Sequence, residues 1–309
     1  MSLTIVCKKC GKTYSYEEYS KNKFCNNCGT FLTIVRKGIV SSTPKLKIKP
    51  KKFQVKFREH PINNRMKMDP DIAYLLGLLL ARGVVKRDSM TIRIPCRYQN
   101  AIDHKEFLLN RVIPRLERAS GERIIISKDF WNDFYLNVEI NSNFYNRIID
   151  MFEIKKGEIC RTSGVPYEIF NSKNDVKKEF IKGIGECCGE IDKYYGGKPR
   201  VVLRFLNENT YLIEDVTEVL LYLSVSIFDV NLSPASPSHK ELSDRLHKLS
   251  KDITTRYGVN VTGRSERIGR DNMIRIWAEE YKEKINFNNR LRYEKLLRYI
   301  KEYEERKNY

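Results

Sequence analysis

The chain has no apolar run long enough to cross a membrane. Ile72–Val85 comes closest, but it carries Arg82 and runs into Lys86 and Arg87, short of the roughly 18 residues that a membrane helix needs. The opening MSLTIVCKKC is too polar for a signal peptide. Both absences point to a cytoplasmic protein. Histidine is scarce: His60, His104, His239 and His247 are scattered, with no metal-binding spacing and no Ser or Cys partner motif. That argues against histidine-based metal catalysis and against a nucleophile–histidine pair. There is no P-loop and no G-x-G-x-x-G, so the usual phosphate-cradling loops are missing. Acids are short as well. The chain has 39 Asp+Glu against 57 Lys+Arg, a formal charge of +18 over 309 residues. On a soluble chain such an excess points to a polyanion, most often nucleic acid.

The 41% hydrophobic content, with 18 Tyr and 14 Phe, supports a sizeable core and excludes wholesale disorder. The length suits two domains, or one large domain with an appendage. Four of the eight cysteines fall early, as Cys7-x2-Cys10 and Cys25-x2-Cys28, each pair followed at once by a glycine, Gly11 and Gly29. Two C-x2-C-G knuckles supply four thiolates, a tetrahedral set suited to structural Zn²⁺. About 35 residues cannot hold a fold by burial alone, so the metal would supply the missing stability. Residues 4–35 resemble a zinc ribbon. Disulfides do not suit a reducing cytosol. A duplicated redox C-x-x-C would need a thioredoxin-like context. Four thiolates close the site, so zinc catalysis is not expected. Cys96, Cys160, Cys187 and Cys188 have no ligand spacing and read as small buried residues.

Residues 36–68 read as a basic linker or arm. From Arg36 to Lys67 there are eleven basic residues and one acid, Glu59, a net +10 over 32 residues. Pro44, Pro50 and Pro61 argue against helix. Lys49, Lys51 and Lys52 are candidate phosphate contacts; the alternative is a solvated linker.

Residues 69–309 contain an internal repeat. DPDIAYLLGLLLARGVV (Asp69–Val85) and KKEFIKGIGECCGEI (Lys177–Ile191) each read as an apolar helix with small residues near its end. The terminal glycine of each suits a helix C-cap. The first half continues with strand Thr91–Pro95, helix His104–Ala119, strands Arg123–Ser127 and Phe134–Ile140, and helix Asn143–Phe152. The second continues with strand Arg200–Leu206, helix Tyr211–Leu223, strands Ser226–Asn231 and Asp271–Trp277, and helix Ala278–Ile285. Gly196–Gly197 reads as a hairpin turn. The expected order is αββαββα twice, over residues 69–165 and 166–309.

These paired stretches resemble the motifs of the LAGLIDADG homing endonuclease family, on Leu75–Gly83 (LLGLLLARG) and Ile181–Gly189 (IKGIGECCG). Glu153–Phe170 resembles the family's segment joining the halves, and Ile276–Leu296 its closing helix and tail. The resemblance covers roughly residues 69–300. It implies an α+β fold: a pseudo-two-fold pair of αββαββα halves, with the motif helices packed at the centre. Two four-stranded antiparallel sheets would form a saddle in the major groove of double-stranded DNA, and a monomer would be complete by itself. In the family, the eighth motif position is an acid that holds divalent metal. Here those positions are Arg82 and Cys188. Arginine repels Mg²⁺, and a thiol is a poor ligand for a cation that demands hard oxygen. Arg82 suits a phosphate directly, or an ion pair with Glu186, Glu190 or Asp192. Those three acids, with Asp88, are also the residues that could rebuild a Mg²⁺-dependent site. Candidate readers on the implied sheets are Arg93, Arg97, Tyr98, Gln99, Asn137, Lys198, Arg200 and Arg204. The expectation is a double-stranded-DNA-binding protein with degenerate catalytic positions. The alternatives are a Mg²⁺-dependent endonuclease using displaced acids, an RNA-binding maturase-like protein, and a ribbon that docks a protein partner.

Overall fold

A computed structural model describes residues 5–6, 10, 12–15, 18, 33–34, 54–62, 67–86, 89–95, 101–129, 133–138, 143–152, 163–194, 197–206, 209–233, 240–263 and 271–307. The chain divides into two compact units, Met1–Lys52 and Phe53–Tyr309. In the first, β1 (Ile5–Val6), β2 (Thr13–Tyr14) and β3 (Thr33–Ile34) form a small antiparallel sheet in the order β2-β1-β3. Cys10 lies exposed in the turn between β1 and β2, and Tyr14 is buried. Cys7, Cys25 and Cys28 lie outside the described residues, as do Lys49, Lys51 and Lys52.

The second unit opens with residues 54–62, which were counted with the linker on composition. They pack against the second half of the fold, and Lys56 N–H donates to the Arg256 carbonyl. The first half then begins with α1 (Pro70–Arg82). Asp69 caps it by accepting from Asp71 N–H and Ile72 N–H, and Pro70 stands at its first turn, where a missing N–H costs nothing. Every residue from Ala73 to Ala81 is buried, the pattern of a helix covered on all sides. β4 (Gly83–Val85) and β5 (Met90–Pro95) follow. Then α2 (Ala101–Phe107) passes through a π-helical stretch (Leu108–Val112) into α3 (Ile113–Ser120). β6 (Ile124–Lys128), β7 (Asp133–Val138) and α4 (Asn143–Phe152) complete the half.

After the short α5 (Tyr167–Phe170), the second half repeats the plan with α6 (Asn174–Cys188), β8 (Gly189–Lys193), β9 (Pro199–Leu206), α7 (Thr210–Tyr222) and β10 (Ile227–Leu232). An insertion comes next: α8 (Lys240–Asp252), a π-helical stretch (Ile253–Tyr257) and β11 (Val261–Gly263). β12 (Asp271–Trp277), α9 (Ala278–Lys284) and α10 (Arg290–Lys307) end the described chain.

The strand orders prove the repeat. The first sheet is β4-β5-β7-β6; the second is β8-β9-β12-β10 with β11 added beyond β10. First, second, fourth and third strands are thus neighbours in each. Instead of the two four-stranded antiparallel sheets expected, the second sheet is five-stranded, because β11 pairs parallel to β10. β4 and β8 fill the place of the first strand that the αββαββα order calls for, to which no residues had been assigned. They begin at the residue after each motif helix, at Gly83 and Gly189. Both glycines cap their helices but are extended (φ −88°, ψ 146° and φ −79°, ψ 133°) rather than left-handed, so the chain turns straight into a strand. The β8–β9 hairpin is turned at Gly197, whose φ of 79° suits glycine. Among the described residues no helix is long and apolar enough to cross a membrane.

Candidate nucleic-acid interface

α1 and α6 pack along each other at the centre. They touch where Gly77 and Gly183 meet, since a Cβ on either glycine would lie 3.0 Å from the other's Cα. Arg115 ties the halves together. It pairs with Asp71 at the start of α1 and, at 2.6 Å, with Glu179 of α6. The C-terminal ends of the two helices stay in contact, with Cys188 Sγ 3.5 Å from the Ala81 carbonyl.

A cleft of about 880 Å³ opens at these ends. Arg82, Arg204, Arg292, Lys295 and Arg298 line it against two acids, Glu190 and Glu294, with Cys187, Cys188 and His104 in the wall. The Arg292 guanidinium donates to the Gly185 carbonyl at 2.9 Å and to that of Gly189. It thus adds a second donor to the Gly185 carbonyl, which already accepts from the capping Gly189 N–H, and places its charge at the negative end of the helix dipole. Burial, with Arg292 nearby, pushes the His104 pKa down. Its Nδ1 lies 3.1 Å from Asn289 Nδ2.

The acids weighed from sequence separate here. Glu186 is 1% exposed. Its Oε1 accepts from Asn288 N–H (2.8 Å) and Asn289 N–H (3.0 Å), so it holds the turn before α10. Among the described residues its Oε2 has no hydrogen-bond partner, and neither does the buried hydroxyl of Tyr281. Burial raises the Glu186 pKa against the pull of Arg292. A carboxyl whose pKa is raised by folding keeps its proton longer in the folded chain. Its contribution is therefore present at low pH and lost as pH climbs from the ordinary glutamate value through the raised one. Glu186→Gln keeps the acceptor and removes the charge. It is expected to leave the melting temperature unchanged or higher at pH 8, with the gain shrinking toward pH 4, as read by thermal melts across pH. A lower melting temperature at pH 8 would show that the charge is needed. Asp192 pairs with Arg200 (2.6 Å), and Glu190 with Arg204 (2.7 Å). Asp88 lies outside the described residues.

The sheet faces turned away from the motif helices carry the remaining candidates. On the first, Thr91, Asn137 and Ser127 form a hydrogen-bonded row. Thr91 Oγ donates to Asn137 Oδ1 (3.0 Å), and Asn137 Nδ2 to Ser127 Oγ (3.2 Å). Arg93 beside them pairs with Asp129 and Asp133, each at 2.6 Å. Against desolvation, hydrogen bonds from Tyr135 and Arg93 hold the Asp129 carboxyl at about 2. On the second sheet Arg200, Arg204 and Arg275 each pair with an acid, the last with Asp229 at 2.8 Å. Lys198 Nζ lies 4.1 Å from the Trp277 ring centroid. Arg93, Arg200 and Arg204, singled out as readers, are therefore already held by carboxylates across strands. Arg97, Tyr98 and Gln99 lie outside the described residues. Sequence reasoning missed Arg292, Lys295 and Arg298. The run RLRYEKLLRYIKEYEERK carried their basic signal, but nothing in it says that the helix returns to the motif ends.

No family model matches the sequence. An uncharacterized protein of Methanocaldococcus jannaschii is 26% identical over 149 residues; the match takes in 47% of this chain and spans only 16% of that protein's length. Among solved structures, a variant of I-DmoI in complex with its target DNA in the presence of magnesium is 15% identical, with a TM-score of 0.40 over 70% of this chain and 95% of that one. Full-length WhiA from Thermotoga maritima is 12% identical, with a TM-score of 0.41 over 78% of this chain and 62% of its own.

Proposed function

We propose that this chain is a double-stranded-DNA-binding protein of the LAGLIDADG homing-endonuclease type that holds a backbone phosphate with arginine where that family holds metal, and that it does not cut. The observation that carries the reading is the cleft at the ends of α1 and α6, with five cations against two acids. Mg²⁺ needs several hard oxygen ligands in near-octahedral array. The eighth motif positions supply a guanidinium and a thiol, Glu186 is sealed in the interior, and Glu190 is engaged by Arg204. The donor set does not fit the metal. It fits an anion: Arg82 and Arg292 offer planar forks that match phosphate oxygens, at a place where the pseudo-dyad would centre a duplex. The polar row Thr91–Asn137–Ser127 is suited to base edges, where an amide can meet adenine bidentately.

In the N-terminal unit, the reading gives Cys7, Cys10, Cys25 and Cys28 one structural zinc. Two C-x2-C pairs are the chemistry of a closed thiolate site. The described β1–β2 hairpin places Cys10 at its turn.

The test is selection of bound sequences from a random duplex library with Mg²⁺ or Mn²⁺ present and the products sized. The expected result is retention of a preferred sequence, intact, by a preparation carrying about one zinc per chain. Nicked or cut product in the bound fraction would sink the non-cutting part. Preferential displacement of duplex by structured RNA at equal salt would instead favour the maturase-like alternative.

A further inference from the structure

The αββαββα plan is complete in the first half at α4 and in the second at α9; α10 is an additional element. It runs beside β8, the edge strand of the second sheet. Near the start of β8, Arg292 donates to Gly189 O. At the end of the strand, Lys193 Nζ pairs with Glu302 at 2.6 Å and lies 4.3 Å from the Tyr299 ring centroid. Beyond the strand, the Arg306 guanidinium faces Gly197 in the hairpin. The helix therefore covers a sheet edge that would otherwise be open to pairing. The same orientation turns Arg292, Lys295 and Arg298 into the cleft beside Arg82, a row spaced by three residues on one helix face. Tyr299 gathers Lys295 and Arg298, whose charged groups lie 5.4 and 5.6 Å from its centroid.

Arg93, Arg200 and Arg204 on the sheets are neutralised by acids. The ion pairs within α10 are Arg290–Glu294, Lys301–Glu305 and Arg306–Glu302. Among the described residues, Lys295 and Arg298 make none. Cations without a carboxylate partner gain most from a polyanion, because binding releases condensed counterions at no cost in broken pairs.

From this we infer that α10 is a second backbone grip, in which Lys295 and Arg298 contact the phosphates that flank the one held at the cleft. The inference rests on the duplex-binding reading above. Such contacts fix the protein on the duplex without reading its sequence.

The experiment titrates a mixed-sequence duplex with the full chain across about 50 to 200 mM salt, where phosphate contacts show as slope. Lys295→Glu with Arg298→Glu is compared with Lys301→Glu plus Lys307→Glu, which changes the same charge on the same helix at exposed positions away from the cleft. The cleft pair is expected to weaken binding about ten- to a hundredfold and to lower the log–log salt slope by about 2; the control pair is expected to weaken it less than about threefold, with the slope kept. The milder Lys295→Gln, Arg298→Gln chain, with an unchanged melting temperature, guards against a folding defect and is expected to show the same slope change. Equal losses in both pairs, or an unaltered slope in the cleft pair, overturns the inference while leaving duplex binding intact. Failure of the unmodified chain to bind duplex overturns both.

Discussion

Gly77→Ala is expected to lower the unfolding free energy by roughly 3–5 kcal/mol, or to prevent folding, and Gly183→Ala to do the same. A Cβ on Gly77 would overlap the Phe180 carbonyl oxygen and sit 3.0 Å from Gly183 Cα. On Gly183 it would overlap the Tyr74 carbonyl oxygen and sit 3.0 Å from Gly77 Cα. The obstacle is backbone, which cannot rotate aside as a side chain can. Relief requires the two helices to separate. Leu75, Leu76, Leu78, Leu79, Phe180, Ile181 and Ile184 are fully buried along them, so separation opens voids in a packed interior. The helix ends, held together at Ala81 and Cys188, would part as well and spoil the cleft. Urea denaturation measures the loss. An alanine variant within about 0.5 kcal/mol of the parent, the range of an ordinary surface change, would mean that the helices do not cross this closely.

Arg58→Ala is expected to cost about 3–5 kcal/mol, because it strips the partner from buried carboxylates. Arg58 reaches three acids of α7: Glu214 at 3.6 Å, Asp215 at 2.6 Å and Glu218 at 2.5 Å. Its backbone N–H adds a bond to Glu218, which also accepts from Tyr257 O–H at 2.9 Å and has His60 Nε2 at 3.2 Å. Phe57 stacks on Tyr222 and His60 on Phe170, so the segment is pinned on both sides of the arginine. Burial pushes all three carboxyls up. At Glu218 the bonds from His60 and Arg58 outweigh it and leave the pKa lowered; at Asp215 and Glu214 burial prevails and the pKa is raised.

Without Arg58 the strongest opposition to burial is gone at Asp215 and Glu214, while Glu218 keeps His60. Carboxyls with raised pKa lose stability as pH rises through the folded value. The deficit of Arg58→Ala is therefore expected to be larger at about pH 8 than at about pH 5, as measured by denaturation at the two. An equal deficit at both would show that the arginine acts by packing rather than by charge.

Much of the scaffold was legible because periodicity is local. Helix Asn143–Phe152 and strand Asp271–Trp277 were expected with the bounds found. The small residues noted in both repeated stretches include Gly77 and Gly183, where the helices cross. The positions of β4 and β8 were not legible, since each continues from a helix with no turn residue other than the glycine itself. The insertion α8–β11 was missed for a different reason. KELSDRLHKLSKD is mostly charged and buries only Leu246 and Leu249, so its apolar stripe is too thin to stand out.

The amino-acid sequence by itself determined the repeat, the excess of base, the four early thiols and the Arg82 and Cys188 near the ends of the two repeated stretches. Each is a matter of which residue types stand where along the chain. Only the tertiary structure decided which charges meet which partners. Arg93 finds Asp129 thirty-six positions away, Arg204 finds Glu190 fourteen away, and Glu186, a candidate metal ligand on paper, is sealed beneath the turn into α10. Coulomb energy depends on distance through space and on the surrounding dielectric, and neither is set by spacing along the chain. The same sum of +18 could have been spread evenly. Folding instead neutralises the sheet arginines and gathers Arg82, Arg292, Lys295 and Arg298 at one cleft.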